Sequence, residues 1–470
     1  MRRKHKSKVF EQLKIVDTAT KGKTVAKTPE GMAIFLTEGV PGDLVDIKTI
    51  KKRKGYFEGV ILKYHQKSIH RTEPICEHFG VCGGCKWQHM SYEAQLDFKQ
   101  KEVRENLQRI GGIEPLHSFD ILGCKTPFFY RNKMEFSFSS SRWLTNEEIN
   151  SEEDFNKNAL GFHKPGMWDK IVDIKKCHLQ EDPSNEIRNE IRRYAIEHSL
   201  SFFHPREQSG FLRSLLIRTT STGQIMVLLQ VVHDDNALKP LLDHIRAKFP
   251  KITSLLYVIN NKANDTLYDQ EINLHSGNSF IEEEMEGLKF KIGAKTFYQT
   301  NSLQAYELYK ITREFAQLKN TDVVYDLYTG IGTIAQFIAQ KVKKVVGVDV
   351  VPDSIFAAQQ NAKDNKIDNV YFEAGDMKSI FTNDFIDRHG KANIVITDPP
   401  REGMHKAVVE QLLELNPERI VYVSCNSATQ ARDLTLLKTH YKLIKTQAVD
   451  MFPQTHHVEN VVLLERIKSK

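Results

Sequence analysis

The sequence predicts an α/β protein in which a doubly wound parallel sheet follows two smaller units. Three observations support this fold class. From about residue 293, apolar strand-like runs alternate with glycine turns and helical segments. Residues 8–64 contain short β-rich runs between Gly and Pro-Gly turns, which is typical of a small β-barrel. Residues 115–290 alternate short strands and turns around one helical insert, which indicates a mixed α+β middle domain.

The composition is that of an ordinary soluble protein, with 470 residues of which 40% are hydrophobic and 27% are charged. No apolar run approaches the ~20 residues of a membrane span. The basic N-terminus lacks the apolar core of a secretory signal, and six cysteines in so long a chain do not make a disulfide framework. We therefore expect a cytoplasmic protein without a membrane partner.

The positive charge is concentrated at the N-terminus. Residues 1–70 hold 16 Lys or Arg against 7 Asp or Glu, a balance of +9, whereas the whole chain carries +6. A basic module on a near-neutral body indicates a polyanion partner, and small five-stranded barrels commonly bind oligonucleotides. The stretch 39–61, GVPGDLVDIKTIKKRKGYFEGVI, resembles a TRAM domain. That resemblance implies an OB-like barrel that binds RNA.

A cluster of cysteines follows the barrel. The stretch CEHFGVCGGCKWQ places Cys76, Cys82 and Cys85 within ten residues, and Cys124 and Cys177 come later in the chain. Three closely spaced thiols with two glycines between the last two indicate a metal site. Four thiolates serve either zinc or an iron–sulfur cluster, and the spacing alone leaves both open.

A cofactor loop is indicated by VVYDLYTGIGTIAQFIA, residues 323–339, which runs from an apolar strand through a glycine turn into a helix. The next strand ends at Asp349, 19 residues after Gly330, where an acid accepts hydrogen bonds from ribose hydroxyls. The third glycine of the dinucleotide motif is missing. A turn without a pyrophosphate to hold favours S-adenosylmethionine (SAM) over NAD.

The segment DLYTGIG is similar to motif I of class I methyltransferases. The resemblance implies that Tyr328 and Thr333 lie against SAM. It also implies that Asp376, in YFEAGDM, lies near the adenine and that Gln299, in FYQTN, contacts the cofactor.

Three further stretches carry residues suited to chemistry. ANIVITDPPREGM places Asp398 at a strand end, and Arg401 stands where amino-methylating enzymes have an aromatic ring. ERIVYVSCNSAT places Cys425 at the end of another strand, and VDMFPQTHHVENVVLLER places Glu459 at the start of the last one. In isolation, packing would explain an unpaired cysteine and solvation would explain a lone glutamate.

Together, DPPR, SCN and MFPQTHHVE resemble the uracil-C5 RNA methyltransferases, and the likeness covers nearly the full chain. Carbon 5 of uracil is a poor nucleophile, and covalent addition of a thiolate to carbon 6 activates it. The resemblance implies that Cys425 is the nucleophile, that Glu459 is the general base, and that Asp398 lies at the cofactor. Arg401 is a candidate for lowering the pKa of Cys425.

The same resemblance implies a 4Fe-4S cluster with a structural role. Its ligands would be four cysteines of this sequence: Cys76, Cys82, Cys85 and Cys177. Cys124 does not match the set, and we expect it to be a packed thiol. Phe79 and Trp87, close to these thiols, are equally compatible with gripping RNA and with packing in a core.

The resemblance completes the predicted domain organisation. A TRAM barrel spans 1–68, and a central α+β domain with the cluster spans 69–90 and 113–290. The class I methyltransferase domain spans 91–112 and 291–470.

The barrel together with the cluster resembles the branch that acts on ribosomal RNA, and we expect a monomer. Two alternatives share the fold: a methyltransferase for the T-loop of transfer RNA, and an RNA-binding protein without catalytic activity. A radical-SAM enzyme is a weaker alternative, because it would need a C-x3-C-x2-C set and this chain has C-x5-C-x2-C.

Overall fold

The computed structural model describes residues 7–468, and its N-terminal part is a closed barrel of five strands in the order β1-β2-β3-β5-β4. The strands are β1 (Val9–Ala19), β2 (Lys23–Lys27), β3 (Ala33–Leu36), β4 (Leu44–Arg53) and β5 (Tyr56–Gln66). Alternating apolar side chains such as Ile15, Ile34 and Ile47 fill its interior. The predicted barrel is confirmed. Four of the predicted basic residues lie outside the described residues: Arg2, Arg3, Lys4 and Lys6.

The cysteine loop, residues 67–91, links the barrel to helix α1 (Tyr92–Asn106), which continues into a π-helical turn, Leu107–Gly111. Ser91 begins the helix, since its side chain accepts a hydrogen bond from the Ala94 N–H. Trp87 is 1% exposed, and its indole N–H donates to the Gly22 carbonyl over 3.4 Å. Trp87 therefore joins the loop to the barrel as a core side chain.

The middle unit is a seven-stranded sheet with two long helices on one face. Strand β6 (His117–Leu122) precedes it in the chain. The unit consists of β7 (Lys133–Ser139), α2 (Asn146–Asn150), β8 (Ala159–Lys164), β9 (Met167–Asp173), α3 (Ser184–Glu197), β10 (Leu212–Thr219), β11 (Ile225–Val231), α4 (Leu238–Lys248), β12 (Ser254–Ile259) and β13 (Asn273–Gly277). The sheet order is β13-β12-β11-β10-β7-β8-β9. Apolar side chains of α3 and α4, including Ile191 and Leu241, cover it.

The C-terminal unit begins with a hairpin and continues as alternating helices and strands. Its elements are β14 (Phe280–Met285), β15 (Leu288–Gly293), α5 (Ser302–Ala316), β16 (Val323–Leu327), α6 (Thr333–Ala339), β17 (Lys344–Asp349), α7 (Pro352–Asp364), β18 (Val370–Ala374), α8 (Asn383–His389), β19 (Ile394–Thr397), α9 (Lys406–Leu415), β20 (Arg419–Ser424), α10 (Ser427–Leu437), β21 (Tyr441–Val449) and β22 (Glu459–Arg466).

The eight strands of the main sheet follow the order β18-β17-β16-β19-β20-β22-β21-β6. The first five run parallel, whereas β22 is antiparallel to both of its neighbours. Apolar cores cover both faces, which is why the central strands are continuous apolar runs. The predicted doubly wound sheet is present. No helix within residues 7–468 is long and apolar enough to span a bilayer.

Strand β6 departs from the predicted domain organisation. The sequence analysis places it in the middle unit, which was expected to resume at residue 113. In the structure, β6 pairs in parallel with β21 and forms the edge of the main sheet. The sequence of β6, HSFDIL, does not reveal this pairing, because the partner strand lies more than 300 residues further along the chain.

Candidate active site

The carboxyl ends of the parallel strands meet at one edge of the main sheet, and the predicted site residues gather there. Asp349, Asp398 and Cys425 lie at or just beyond the ends of β17, β19 and β20. Glu459 is the first residue of β22 and reaches the same edge because this strand runs antiparallel. Ligands of open α/β sheets bind at this edge.

The glycine loop after β16 is held by hydrogen bonds to a buried carboxylate. Asp326 is buried, and its Oδ2 accepts hydrogen bonds from the Thr329 hydroxyl over 2.5 Å and from the Ala335 N–H over 3.1 Å. Gly332 has φ of +76°, and a Cβ there would lie 2.6 Å from the Phe372 ring. Only glycine fits at this position. Asp326 is the first residue of the DLYTGIG segment but was not among the predicted site residues.

Asp349 and the glycine loop meet as the spacing predicts. The Gly330 N–H donates to Asp349 Oδ2 over 3.0 Å, and the Val351 N–H donates to Oδ1 over 2.9 Å. Gly330 has φ of +55°, and no heavy atom lies within 4 Å of the position a Cβ would take. The loop backbone is therefore open to close approach by a ligand, with a fixed carboxylate beside it.

The other residues expected at SAM surround this loop. Tyr328, which follows β16, is half-buried, and burial followed by nearby carboxylates, Asp376 and Asp349 among them, raises its pKa to about 12. Thr333 begins α6 and is buried, Asp376 is exposed just after β18, and Gln299 is buried just before α5. Their contacts with the cofactor stay predictions.

Cys425 and Glu459 lie at the adjoining ends of two neighbouring strands. Ser424, the last residue of β20, pairs with Asn460 of β22, so Cys425, which follows Ser424, and Glu459, which precedes Asn460, are neighbours at this edge. The electrostatics agree, because the charge of Glu459 adds to burial in raising the pKa of Cys425. Glu459 is only 4% exposed. The structure therefore joins the predicted nucleophile and the predicted base.

Asp398 is the second carboxyl group at this point. Burial is the main cause that raises the pKa of both Glu459 and Asp398, and the charge of Asp398 raises that of Glu459 further. The charge of Arg401 opposes this increase at Glu459. A carboxyl group whose pKa is raised in this way suits proton transfer near neutral pH.

Arg401 lies in the turn that follows β19. Its carbonyl accepts hydrogen bonds from the Asn426 side chain and the Thr429 hydroxyl, each over 3.1 Å. Its guanidinium contacts the His457 ring. Burial raises the pKa of Cys425 to about 11, and the charge of Arg401 lowers it. Arg401 thus acts in the expected direction, but burial outweighs it.

Sequence reasoning missed two residues of the site. Asn426 caps α10, since its Oδ1 accepts a hydrogen bond from the Ala428 N–H over 3.1 Å, and an Asn between a strand and a helix was an available signal. Tyr309 of α5 is buried near Asp398 and Glu459, whose charges add to burial in raising its pKa. No motif marks Tyr309.

The cysteine loop forms a second candidate site. A cavity of about 150 Å³ is lined by the four predicted ligands and by Arg131. These ligands are Cys76, Cys82, Cys85 and Cys177. Phe79 also lines the cavity, and its ring lies 5.1 Å from that of His89. Cys124 lies outside the lining, and its Sγ is 3.3 Å from the Thr126 carbonyl.

The chemistry of this cavity fits a cluster bound by thiolates. Burial raises the pKa of Cys82 to about 11 and that of Cys85 to about 12, so ionised sulfurs there need a cationic partner. Within residues 7–468, no three His, Cys, Asp or Glu side chains converge on a single metal ion. A cluster does not require such convergence, because each thiolate binds a different iron.

Comparisons with known proteins agree with this geometry. The sequence model of the tRNA (uracil-5-)-methyltransferase family matches residues 270–467. A Bacteroides thetaiotaomicron protein named as an uncharacterized RNA methyltransferase is 52% identical over 452 residues, 95% of this chain and 99% of that protein. One from Chlorobaculum tepidum is 37% identical over 464 residues, 97% of this chain and 96% of its own.

A solved structure extends the likeness to the whole fold. The Pyrococcus abyssi tRNA (uracil-54, C5)-methyltransferase, in complex with S-adenosyl-L-homocysteine, is 27% identical to this chain. The match has a TM-score of 0.74 and covers 96% of this chain and 100% of that one.

We expect iodoacetamide to alkylate Cys425 slowly at pH 7 and about tenfold faster per pH unit up to about pH 11. The reason is that the thiolate is the reacting form and that burial raises the pKa of this thiol to about 11. Arg401→Gln should slow alkylation at pH 8, since the lost charge raises that pKa further. Peptide mass spectrometry measures the rates. Arg206→Gln, in the middle unit, is the control. An unchanged or faster rate in Arg401→Gln would contradict the electrostatic role.

Proposed function

This chain belongs to the SAM-dependent RNA (uracil-5-)methyltransferase family, and we propose that it methylates C5 of a specific uridine in 23S ribosomal RNA through a covalent adduct with Cys425. The observation that carries the covalent mechanism is the pairing of Ser424 with Asn460, which places the next residue, Cys425, and the preceding residue, Glu459, side by side at one edge of the sheet. Methylation at C5 needs a nucleophile for C6 and a base for the C5 proton within reach of one ring.

The proposed sequence begins at Cys425. Its thiolate Sγ bonds to C6 of the uracil, and the C5–C6 π electrons move to make C5 enolate-like. SAM, when bound, would supply the methyl group: C5 bonds to the methyl carbon as the methyl–sulfonium bond breaks, and the electron pair of that bond leaves on the sulfur of S-adenosyl-L-homocysteine. Glu459 then removes the proton from C5, the electrons of that C–H bond restore the C5–C6 double bond, and the C6–S bond breaks to release the Cys425 thiolate.

The surroundings of Cys425 support this role. The backbone of Arg401 is tied to the helix that follows Cys425 through Asn426 and Thr429. Its side chain is therefore anchored beside the thiol, where its charge favours the thiolate against the effect of burial. A non-catalytic RNA-binding protein would need neither this cation nor the buried base.

Ribosomal RNA is proposed over transfer RNA because a basic barrel and a four-cysteine cavity accompany the catalytic unit. RNA recognition by this class of protein uses phosphate contacts and splayed loop bases. Transfer RNA is the second candidate, since the Pyrococcus relative named above is a tRNA methyltransferase and its fold covers most of this chain.

The substrate is tested by incubating the purified protein with labelled SAM and unmodified large-subunit ribosomal RNA or transfer RNA. We expect label in ribosomal RNA, recovered as 5-methyluridine, because the basic barrel suits a large folded RNA. Label in transfer RNA alone would overturn the choice of substrate and keep the chemistry. Label in neither RNA would contradict the catalytic proposal.

The roles of Cys425 and Glu459 are tested with two variants and two RNAs. Cys425→Ala should abolish the covalent adduct with 5-fluorouridine RNA, because no thiolate remains to attack C6. Glu459→Gln should accumulate the methylated adduct on ordinary RNA and lower turnover by about 10²-fold or more, the usual contribution of a positioned base. Denaturing gels and mass spectrometry detect both adducts. An adduct in Cys425→Ala, or wild-type turnover in Glu459→Gln, would reassign the residue concerned.

We also propose that the four-cysteine cavity holds a 4Fe-4S cluster with a structural role. We further propose that the protein works in the reducing cytoplasm. The four thiols line one cavity, which supports a centre bound by cysteine, and the resemblance of the cysteine set to that of the uracil-C5 RNA methyltransferases favours a cluster over zinc. The cavity also joins the middle unit to the cysteine loop, because Cys177 follows β9.

We expect anaerobically purified protein to contain about four irons and four acid-labile sulfides per chain, the content of one such cluster. Cys82→Ala should lose most of this iron, because Cys82 lines the cavity. Cys124→Ala is the matched control and should keep it, since Cys124 lies outside the lining. Iron and sulfide analysis provides the measurement. Stoichiometric zinc in the wild type, or full iron content in Cys82→Ala, would overturn the cluster.

A further inference from the structure

The loop 450–458, which joins β21 to β22 and leads directly to Glu459, begins at a buried ion pair. Lys99 Nζ of α1 lies 2.6 Å from Asp450 Oδ1, and both side chains are fully buried. Asp450 Oδ2 also accepts a hydrogen bond from the Tyr92 hydroxyl over 2.9 Å. Lys99 donates further to the Phe452 carbonyl over 3.2 Å. One lysine therefore holds two successive points of the loop.

A second set of hydrogen bonds joins α1 to the middle of the loop. Gln95 Nε2 donates to Gln454 Oε1 over 3.0 Å, and the Gln454 N–H donates back to Gln95 Oε1 over 2.9 Å. The Gln454 carbonyl accepts from the N–H groups of Lys86 and Trp87 over 2.9 and 3.0 Å. The loop is therefore fixed to both α1 and the cysteine loop by buried hydrogen bonds.

The far end of the loop reaches the reacting groups. His457 contacts the Arg401 guanidinium, and Glu459 pairs with Val449 at the start of β22. Helix α1 also contacts α10, the helix that follows Cys425, because the Asn106 side chain donates to the Ser427 hydroxyl over 2.8 Å. The same helix thus touches the segments on either side of the two reacting groups.

Stability is a weak explanation for the Lys99–Asp450 pair. Desolvation of two buried charges costs about as much as their attraction returns, and apolar replacements of similar volume are often neutral or stabilising. A charged pair with fixed hydrogen-bond directions does specify geometry. What this pair fixes is the start of the loop that carries the proposed base.

We propose that Lys99 and Gln95 are positioning residues that hold the 450–458 loop, and thereby keep Glu459 beside Cys425 within reach of the C5 proton. This inference rests on the proposed function. Both side chains are fully buried, so neither is exposed to an RNA substrate. Displacement of a catalytic group by about 1 Å can cost about 10²-fold in rate, so loss of this anchor affects the step that uses Glu459.

The test replaces both charges together, because removing one would leave the other buried and unpaired. Lys99→Met combined with Asp450→Leu should remain folded in thermal unfolding. Its kcat should fall by about 10- to 100-fold with little change in KM. RNA containing 5-deuterouridine should give a larger primary isotope effect on kcat than in the wild type, because removal of the C5 proton becomes limiting. A purely structural role would leave the isotope effect unchanged.

Two further variants sharpen the result. Gln95→Met removes the amide pair and keeps the ion pair, and it should give a smaller change in the same direction. Arg419→Met combined with Asp322→Leu is the matched control. It removes another largely buried ion pair, of 3.8 Å, at the opposite end of β20. This control should leave the isotope effect at the wild-type value even if it lowers the unfolding temperature.

The proposal would be overturned if the folded Lys99→Met, Asp450→Leu protein had the wild-type kcat and isotope effect. It would also be overturned if this protein had a lower kcat but an unchanged isotope effect. If the double variant does not fold, the same criteria apply to Gln95→Met. Failure of the proposed function looks different: Glu459→Gln would then show no methylated adduct, whatever the Lys99 variants do.

Discussion

The antiparallel pairing of β22 with β20 is the constraint on which the site depends. A strand end and a strand start can share one edge of a sheet only if the two strands run in opposite directions. Cys425 follows the end of β20 and Glu459 begins β22, so the reversal brings them together. In an all-parallel sheet, Glu459 would lie at the far edge, away from Cys425.

Helix α1 extends this constraint to the rest of the molecule. It follows the cysteine loop, which is joined to the barrel through Trp87 and Gly22. It then contacts the loop before Glu459 through Lys99 and reaches the helix after Cys425 through Asn106. The barrel, the cysteine loop, the loop before Glu459 and the helix after Cys425 are therefore connected by one helix.

The sequence predicted those parts of the site that depend on local patterns. The glycine loop, the strand-end Cys425 and the cysteine spacing each occupy a short stretch, and each needs particular residue types for its chemistry. The edge strand β6 and the Lys99–Asp450 pair were beyond prediction, because their partners lie hundreds of residues away and a lone lysine in a polar helix looks solvent-exposed. Trp87 was ambiguous until its neighbours were known.

The electrostatics of the site set two demands against each other. In the proposed mechanism Glu459 must be ionised to take a proton, but its charge adds to burial in raising the pKa of Cys425, whose thiolate that mechanism also requires. Arg401 lowers the pKa of both groups, so a single cation eases both ionisations at once. Arg401 can act on both groups only if it stays in place, and two side-chain hydrogen bonds to its backbone carbonyl hold it there. The turn that holds Arg401 is therefore as much a part of the site as the two groups that react.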